Sequence, residues 1–114
     1  MTNEANVLIH WKGLENDEEV HDHLIERCQH VAAEFPETNH YELSIEPSGR
    51  EIRCHGHVNG KHMQVAAHAD GFPTARQVGD SVIDKLEREL RKEHDKRIFG
   101  RRRKAQRDPG RRVS

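Results

Sequence analysis

Apolar residues in this chain follow two different periods, and the order in which those periods occur limits what it can fold into. In "NDEEVHDHLIERCQHVAAEF" (16–35), Val20, Leu24, Cys28, Val31 and Phe35 recur at intervals of four, four, three and four. That spacing lines one face of a helix. Val78, Val82, Leu86 and Leu90 form a second ridge, with Ile83 beside it. Between the two, Tyr41, Leu43 and Ile45 alternate with polar neighbours, as do Ile52, Cys54 and Val58, and then Met63, Val65, Ala67 and Ala69. Alternation puts every second side chain on one face of a strand. "VLIHWKGL" (7–14) adds a β-rich segment ahead of the first helix. The expected architecture is α+β, in the order β-α-β-β-β-α. A four-stranded sheet with one apolar face would be covered on that face by two amphipathic helices, leaving the other face open to solvent.

Local signals set the expected boundaries. Asn16 can cap the first helix, with Glu19 three residues on, and Pro36 ends it. "PSGR" (47–50) makes a turn. Asn59-Gly60 is a strong hairpin signal, and a two-residue turn there pairs Val58 with Lys61, His57 with His62 and Cys54 with Val65. The last helix is expected from about Phe72 to Ile98, with Asp70 as its cap and Gly100 as its stop. Gly79 inside it costs about 1 kcal/mol relative to Ala, a cost that close packing on the sheet would explain. Residues 1–100 then form one domain. "RRRKAQRDPGRRVS" (101–114) has no apolar period and is expected to be a disordered basic tail.

Composition narrows the class. Leu, Ile, Val and Phe make up 23 of 114 residues, close to the roughly 20% below which disorder is expected, so the core must be small. No stretch reaches the ~20 apolar residues of a membrane span, and "MTNEANVLIHWKG" has no basic region before a long apolar run. A soluble cytoplasmic protein is expected. Cys28 and Cys54 fit neither a disulfide framework nor a paired-cysteine zinc motif; both fall at core-facing positions.

The formal net charge of −1 hides a strong asymmetry. Residues 1–75 hold 5 Lys and Arg against 13 Asp and Glu, a net of −8, whereas residues 76–114 hold 14 against 7, a net of +7. Such a division points to a polyanion partner for the basic part. Lys85, Arg88, Lys92 and Lys96 are spaced three, four and four, which lines them along one shoulder of the last helix. Arg91, Arg97 and the run Arg101, Arg102, Arg103 and Lys104 extend the positive surface. With few aromatics, phosphate neutralisation is the expected mode of nucleic-acid binding.

The element order, the segment "VAAHADGFPTA" and above all "VIDKLERELRKEHDK" resemble the ribosome hibernation-promoting factor family. That family is also called ribosome-associated inhibitor, sigma-54 modulation protein or ribosomal protein S30EA. The resemblance covers roughly residues 6–98. It implies two helices on one face of a four-stranded sheet and binding in the small-subunit cleft where mRNA and tRNA sit, which idles translation under stress. It further implies that Lys85, Arg88, Arg91, Lys92 and Lys96 contact ribosomal RNA. The first helix carries only Arg27 where family members have several basic residues. The chain matches the short form, without the second, dimerising domain of long-form members, so a monomer off the ribosome is expected.

Ten histidines remain to be placed. Alternation puts His10, His40, His55, His57, His62 and His68 on the open face, where polar fillers are ordinary. Cys54 points away from His55 and His57, so "CHGH" cannot chelate as a unit, and neither a metal site nor a cofactor is expected. No nucleophile-elbow, phosphate-loop or zinc-protease motif occurs, and no catalytic residue is assigned. Two alternatives stand beside the ribosomal reading: a His-rich module responsive to metal or pH, and a protein like a double-stranded RNA binding domain.

Overall fold

In a computed structural model, the backbone is described for residues 5–106 and the side chains for residues 5–96. The chain runs β1 (Asn6–Trp11), α1 (Glu18–Glu34), β2 (Thr38–Ser48), β3 (Glu51–Gly60), β4 (Met63–Phe72) and α2 (Ala75–Gln106). This is the expected α+β order. The strands form one sheet in the order β1-β2-β3-β4. β1 lies parallel to β2, and β2, β3 and β4 are successively antiparallel. The β1-to-β2 connection is therefore a crossover through α1, because parallel neighbours cannot be joined by a tight turn.

α1 lies over β1 and β2, and α2 over β3 and β4. Between helices and sheet, Leu24, Cys28, Val31 and Phe35 of α1 meet Tyr41, Leu43, Ile45, Cys54 and Val58 of the sheet and Val78, Val82, Ile83, Leu86 and Leu90 of α2, all buried. Each large side chain among them contributes roughly 1.5–3 kcal/mol by leaving water, so the periodic positions of the sequence supply most of the available core. Both cysteines are free and buried in it.

Glycines set how closely the layers approach. A Cβ on Gly56 would sit 2.6 Å from Leu43 Cδ2 and 2.8 Å from Val82 Cγ1, so α2 rests directly on β3 at this point. Gly79 has a different neighbour from the one expected. Its missing Cβ leaves room for Leu24 of α1, whose Cδ1 and Cδ2 would lie at 2.7 and 2.8 Å. Gly79 therefore sets the spacing between the helices, and Gly56 the spacing to the sheet.

Several boundaries differ from the sequence expectation. Asp17, not Asn16, caps α1, its Oδ1 accepting from the Val20 N–H at 3.2 Å. Phe72 pairs with Ile52 and so completes β4. Thr74 then caps α2, its Oγ1 accepting from the Gln77 N–H at 3.1 Å, while Asp70 Oδ1 accepts from the adjacent Gly71 N–H instead. α2 passes through Gly100 and continues to Gln106, since one glycine among good helix formers costs only about 1 kcal/mol. Thus 101–106 of the expected tail are helical in backbone, and 107–114 lie outside the described residues.

The β3–β4 turn also moves. Gly60 pairs with Met63, so the turn residues are Lys61 and His62, with His62 at φ 63°. Gly60 is retained within the strand because β2 approaches it closely: a Cβ there would meet the Glu37 carbonyl oxygen at 2.6 Å and Thr38 Cα at 2.9 Å. The Lys61 N–H donates to the same Glu37 carbonyl at 2.9 Å, tying the turn to β2. The partners expected for His57, Val58 and Cys54 are accordingly replaced by Ala66, Val65 and Ala69. Because the displacement is even, the apolar face is preserved.

Candidate nucleic-acid interface

Burial of Val78, Val82, Leu86 and Leu90 fixes the rotation of α2, and that rotation places the basic shoulder beside the free edge of β4. Lys85 Nζ donates to the His68 carbonyl of β4 at 2.9 Å. Lys85 and Arg88, with Ala66, Ala67, His68 and Glu89, line a shallow groove of about 310 Å³ along this edge. Arg88 makes no ion pair among the described residues. One and two turns further, Lys92 and Lys96 lie 3.5 Å from Glu89 and Glu93 respectively, with their side chains 67% and 74% exposed. Ion pairs this exposed contribute only about 0–1 kcal/mol, so a phosphate can displace the carboxylate at little cost.

Arg91 stands apart from this line. Its guanidinium lies 5.6 Å from the Phe35 ring centroid and bridges Glu87 at 2.9 Å and Glu34 at 3.5 Å. It therefore joins α2 to the end of α1. Arg97, Arg101, Arg102, Arg103 and Lys104 fall on the last turns of α2; their side chains lie outside the described ones.

The other cation the sequence singled out, Arg27, is taken up between the helices. Its Nη1 lies 3.0 Å from Asp80 and its Nη2 2.9 Å from Asp84, and His23 also reaches Asp80, at 2.9 Å. α1 thus presents mainly its acids, Glu18, Glu19, Asp22 and Glu26, to solvent. It does so on the far side of α2 from the β4 edge, so these carboxylates do not flank the basic groove.

The open face of the sheet holds a constellation that the sequence reading did not include. His10, His40 and His57, from β1, β2 and β3, converge on Glu42 of β2. His10 Nε2 lies 2.6 Å from one carboxylate oxygen; His40 and His57 Nε2 lie 3.1 and 3.5 Å from the other. Hydrogen bonds from His40 and His10 hold the Glu42 carboxyl below its ordinary range. His55 faces His68 across the strands with ring centroids 5.9 Å apart, while His62 is displaced into the turn. The signal for Glu42 was present: alternation gives it the face of His40, and a two-residue turn at Gly49-Arg50 sets it opposite His57.

The sequence model of the sigma 54 modulation protein / S30EA ribosomal protein family matches residues 7–98. No curated protein sequence matches the chain. Among solved structures, a ribosomal subunit interface protein from Coxiella burnetii is similar, with a TM-score of 0.72 and 12% identity over 79% of this chain and 98% of that one. The N-terminal domain of Thermus thermophilus Protein Y superposes with a TM-score of 0.66 and 14% identity, covering 78% of this chain and 97% of that one. At such identities the two structures establish a shared fold. No described helix is long and apolar enough to cross a membrane.

Proposed function

This chain belongs to the sigma 54 modulation protein / S30EA ribosomal protein family, and from that premise we propose that it is a ribosome-associated translation inhibitor acting on the small subunit. In this reading α2 lies along ribosomal RNA in the channel otherwise used by tRNA and mRNA. The protein acts stoichiometrically, without catalysis, on cytoplasmic ribosomes idled under stress. The observation that carries the proposal is the row Lys85, Arg88, Lys92 and Lys96 at the β4 edge, held only by exposed pairs or a backbone carbonyl. The protein of the same fold from Coxiella burnetii is described as a ribosomal subunit interface protein, which is in keeping with it. Arg97, Arg101, Arg102, Arg103 and Lys104 add further positive charge beyond this row, with residues 1–100 as the docking unit and 101–114 as its basic extension.

The mechanism is electrostatic and steric. Each neutralised phosphate releases a condensed counterion, so four contacts give a slope of log affinity against log salt of about −3. Once docked, the body of the domain excludes other ligands from the channel. The test is co-sedimentation of the purified protein with separated subunits and whole ribosomes at several salt concentrations, alongside K85E/R88E/K92E. Saturable small-subunit binding that disappears in the triple variant is the expected result. Binding to neither subunit at low salt would overturn the proposal.

A further inference from the structure

The convergence on Glu42 has the chemistry and spacing of a metal site. Two imidazole nitrogens and one carboxylate oxygen, from His40, His57 and Glu42, all lie within 4.8 Å of one another. A tetrahedral ion with bonds of about 2.0–2.1 Å has donor–donor edges of about 3.3 Å. The observed separations from the shared Glu42 oxygen, 3.1 Å to His40 and 3.5 Å to His57, bracket that edge. The ligands sit on paired strands: Glu42 is directly opposite His57 in the β2–β3 ladder, and His40 is two residues away on the same face. A hydrogen-bonded sheet holds donors more rigidly than a loop does.

The neighbours are also those a site of this kind uses. His10 Nε2, 2.6 Å from the second Glu42 oxygen, orients the carboxylate without itself occupying the cluster. The carboxamide nitrogen Nδ2 of Asn6 lies 3.2 Å from His40 Nδ1. When that carboxamide turns its oxygen inward, it accepts Nδ1–H and leaves Nε2 as the metal-ligating atom. The side chains of His40, Glu42 and His57 are 25%, 28% and 43% exposed, so an ion is reachable and only partly desolvated. Glu42 and His57 also line a recess of about 320 Å³ on the open face, through which an ion can reach them. A dication here would sit in the acidic half of the sequence, where residues 1–75 carry 13 Asp and Glu against 5 Lys and Arg.

We propose that His40, Glu42 and His57 bind one divalent transition ion of the zinc class, with His10 and Asn6 orienting the ligands. Two imidazoles and a carboxylate favour such an ion over calcium or magnesium, which prefer all-oxygen sets. The site is on the sheet face opposite the helices and does not depend on how the protein engages the ribosome.

The test titrates the untagged full-length chain with Co²⁺ as a spectroscopic probe and then displaces it with Zn²⁺. The expected result is one ion per chain with the intense visible absorption of four-coordinate cobalt. H40A, H57A and E42Q should each weaken binding more than about 100-fold, and H10A or N6A about tenfold. H21N and H94N, whose side chains lie off this face, should bind as the parent does. Circular dichroism of each variant separates ligand loss from misfolding. In the unaltered chain, Zn²⁺ should shift the side-chain ¹⁵N signals of His40 and His57 ahead of the other histidines. Absence of saturable binding, or binding weakened as much by H21N as by H57A, overturns the proposal.

Discussion

Replacing Gly79 with alanine sets two effects of similar size against each other. In an isolated helix the substitution would add about 1 kcal/mol, since glycine forfeits that much relative to alanine. Here the new Cβ would lie 2.7 and 2.8 Å from the Leu24 methyl carbons and 3.3 Å from Leu24 Cγ. Leu24 is fully buried and cannot swing into solvent, so overpacking costs roughly 1–3 kcal/mol. The net expectation for G79A is a loss of about 1 kcal/mol. In an L24V background the two close methyl carbons are gone and the helix-propensity gain survives. There G79A should stabilise, by up to about 1 kcal/mol. Urea unfolding of the four proteins, followed by circular dichroism, measures the cycle. The coupling energy should be about 2 kcal/mol, within the range for residues in contact. The same sign of effect in both backgrounds would refute the claim that Gly79 exists to admit Leu24.

Burial pushes the thiols of Cys28 and Cys54 up from 9.0 to about 12, and the Tyr41 hydroxyl from 10.0 to about 12. These groups hold their protons in the folded state where the unfolded chain would release them. The contribution of these three groups should therefore be constant below pH 9, and stability should fall as pH rises from 9 through 12; an unchanged urea midpoint between pH 8 and 10.5 would contradict this. In native protein at pH 8, alkylation of either cysteine should be many times slower than in denatured chain, measured by mass spectrometry with iodoacetamide. R91A should cost about 0.5–1 kcal/mol of stability through its lost contact with Phe35, yet leave ribosome co-sedimentation near parental, whereas R88A should weaken co-sedimentation and leave the urea midpoint unchanged. H62G should relieve the positive φ of the turn and raise stability by up to about 1 kcal/mol in the same unfolding assay.

The two helices were legible because Val20 to Phe35 and Val78 to Leu90 carry a period that only one local geometry uses. The face of each strand was legible for the same reason. Strand register was not. Asn59-Gly60 has the local chemistry of a turn, but the approach of Glu37 and Thr38 from β2 claims Gly60 for the ladder, and the turn falls on a histidine instead. Likewise Asp70 and Thr74 are both able caps. Pairing of Phe72 with Ile52 keeps the chain extended past the first and leaves the second at the helix start.

The candidate surfaces divide in the same way. The line Lys85, Arg88, Lys92 and Lys96 follows from helical spacing alone, and the structure adds that it borders β4. Arg91 differs, because its partners Phe35 and Glu34 come from α1, more than fifty residues earlier. The histidines were visible as a cluster on one face, with Glu42 among them by alternation, but bringing His10 to that carboxylate needs β1 paired with β2.

What the sequence by itself determined is therefore what depends on parity and period. It set which residues turn inward, the β-α-β-β-β-α order, and the concentration of cationic charge on the last helix. Those properties are short-range, since a side chain's direction along a helix or strand is set by the backbone geometry of its immediate neighbours. Tertiary structure alone decided the β3–β4 register, the helix spacing at Gly79, the pairing of Arg27 with Asp80 and Asp84, the contact of Arg91 with Phe35, and the arrival of His10 at Glu42. Each of these is a contact between residues distant in the chain. It forms where burial of a shared core brings the two segments together, and no local pattern records which partner will be there.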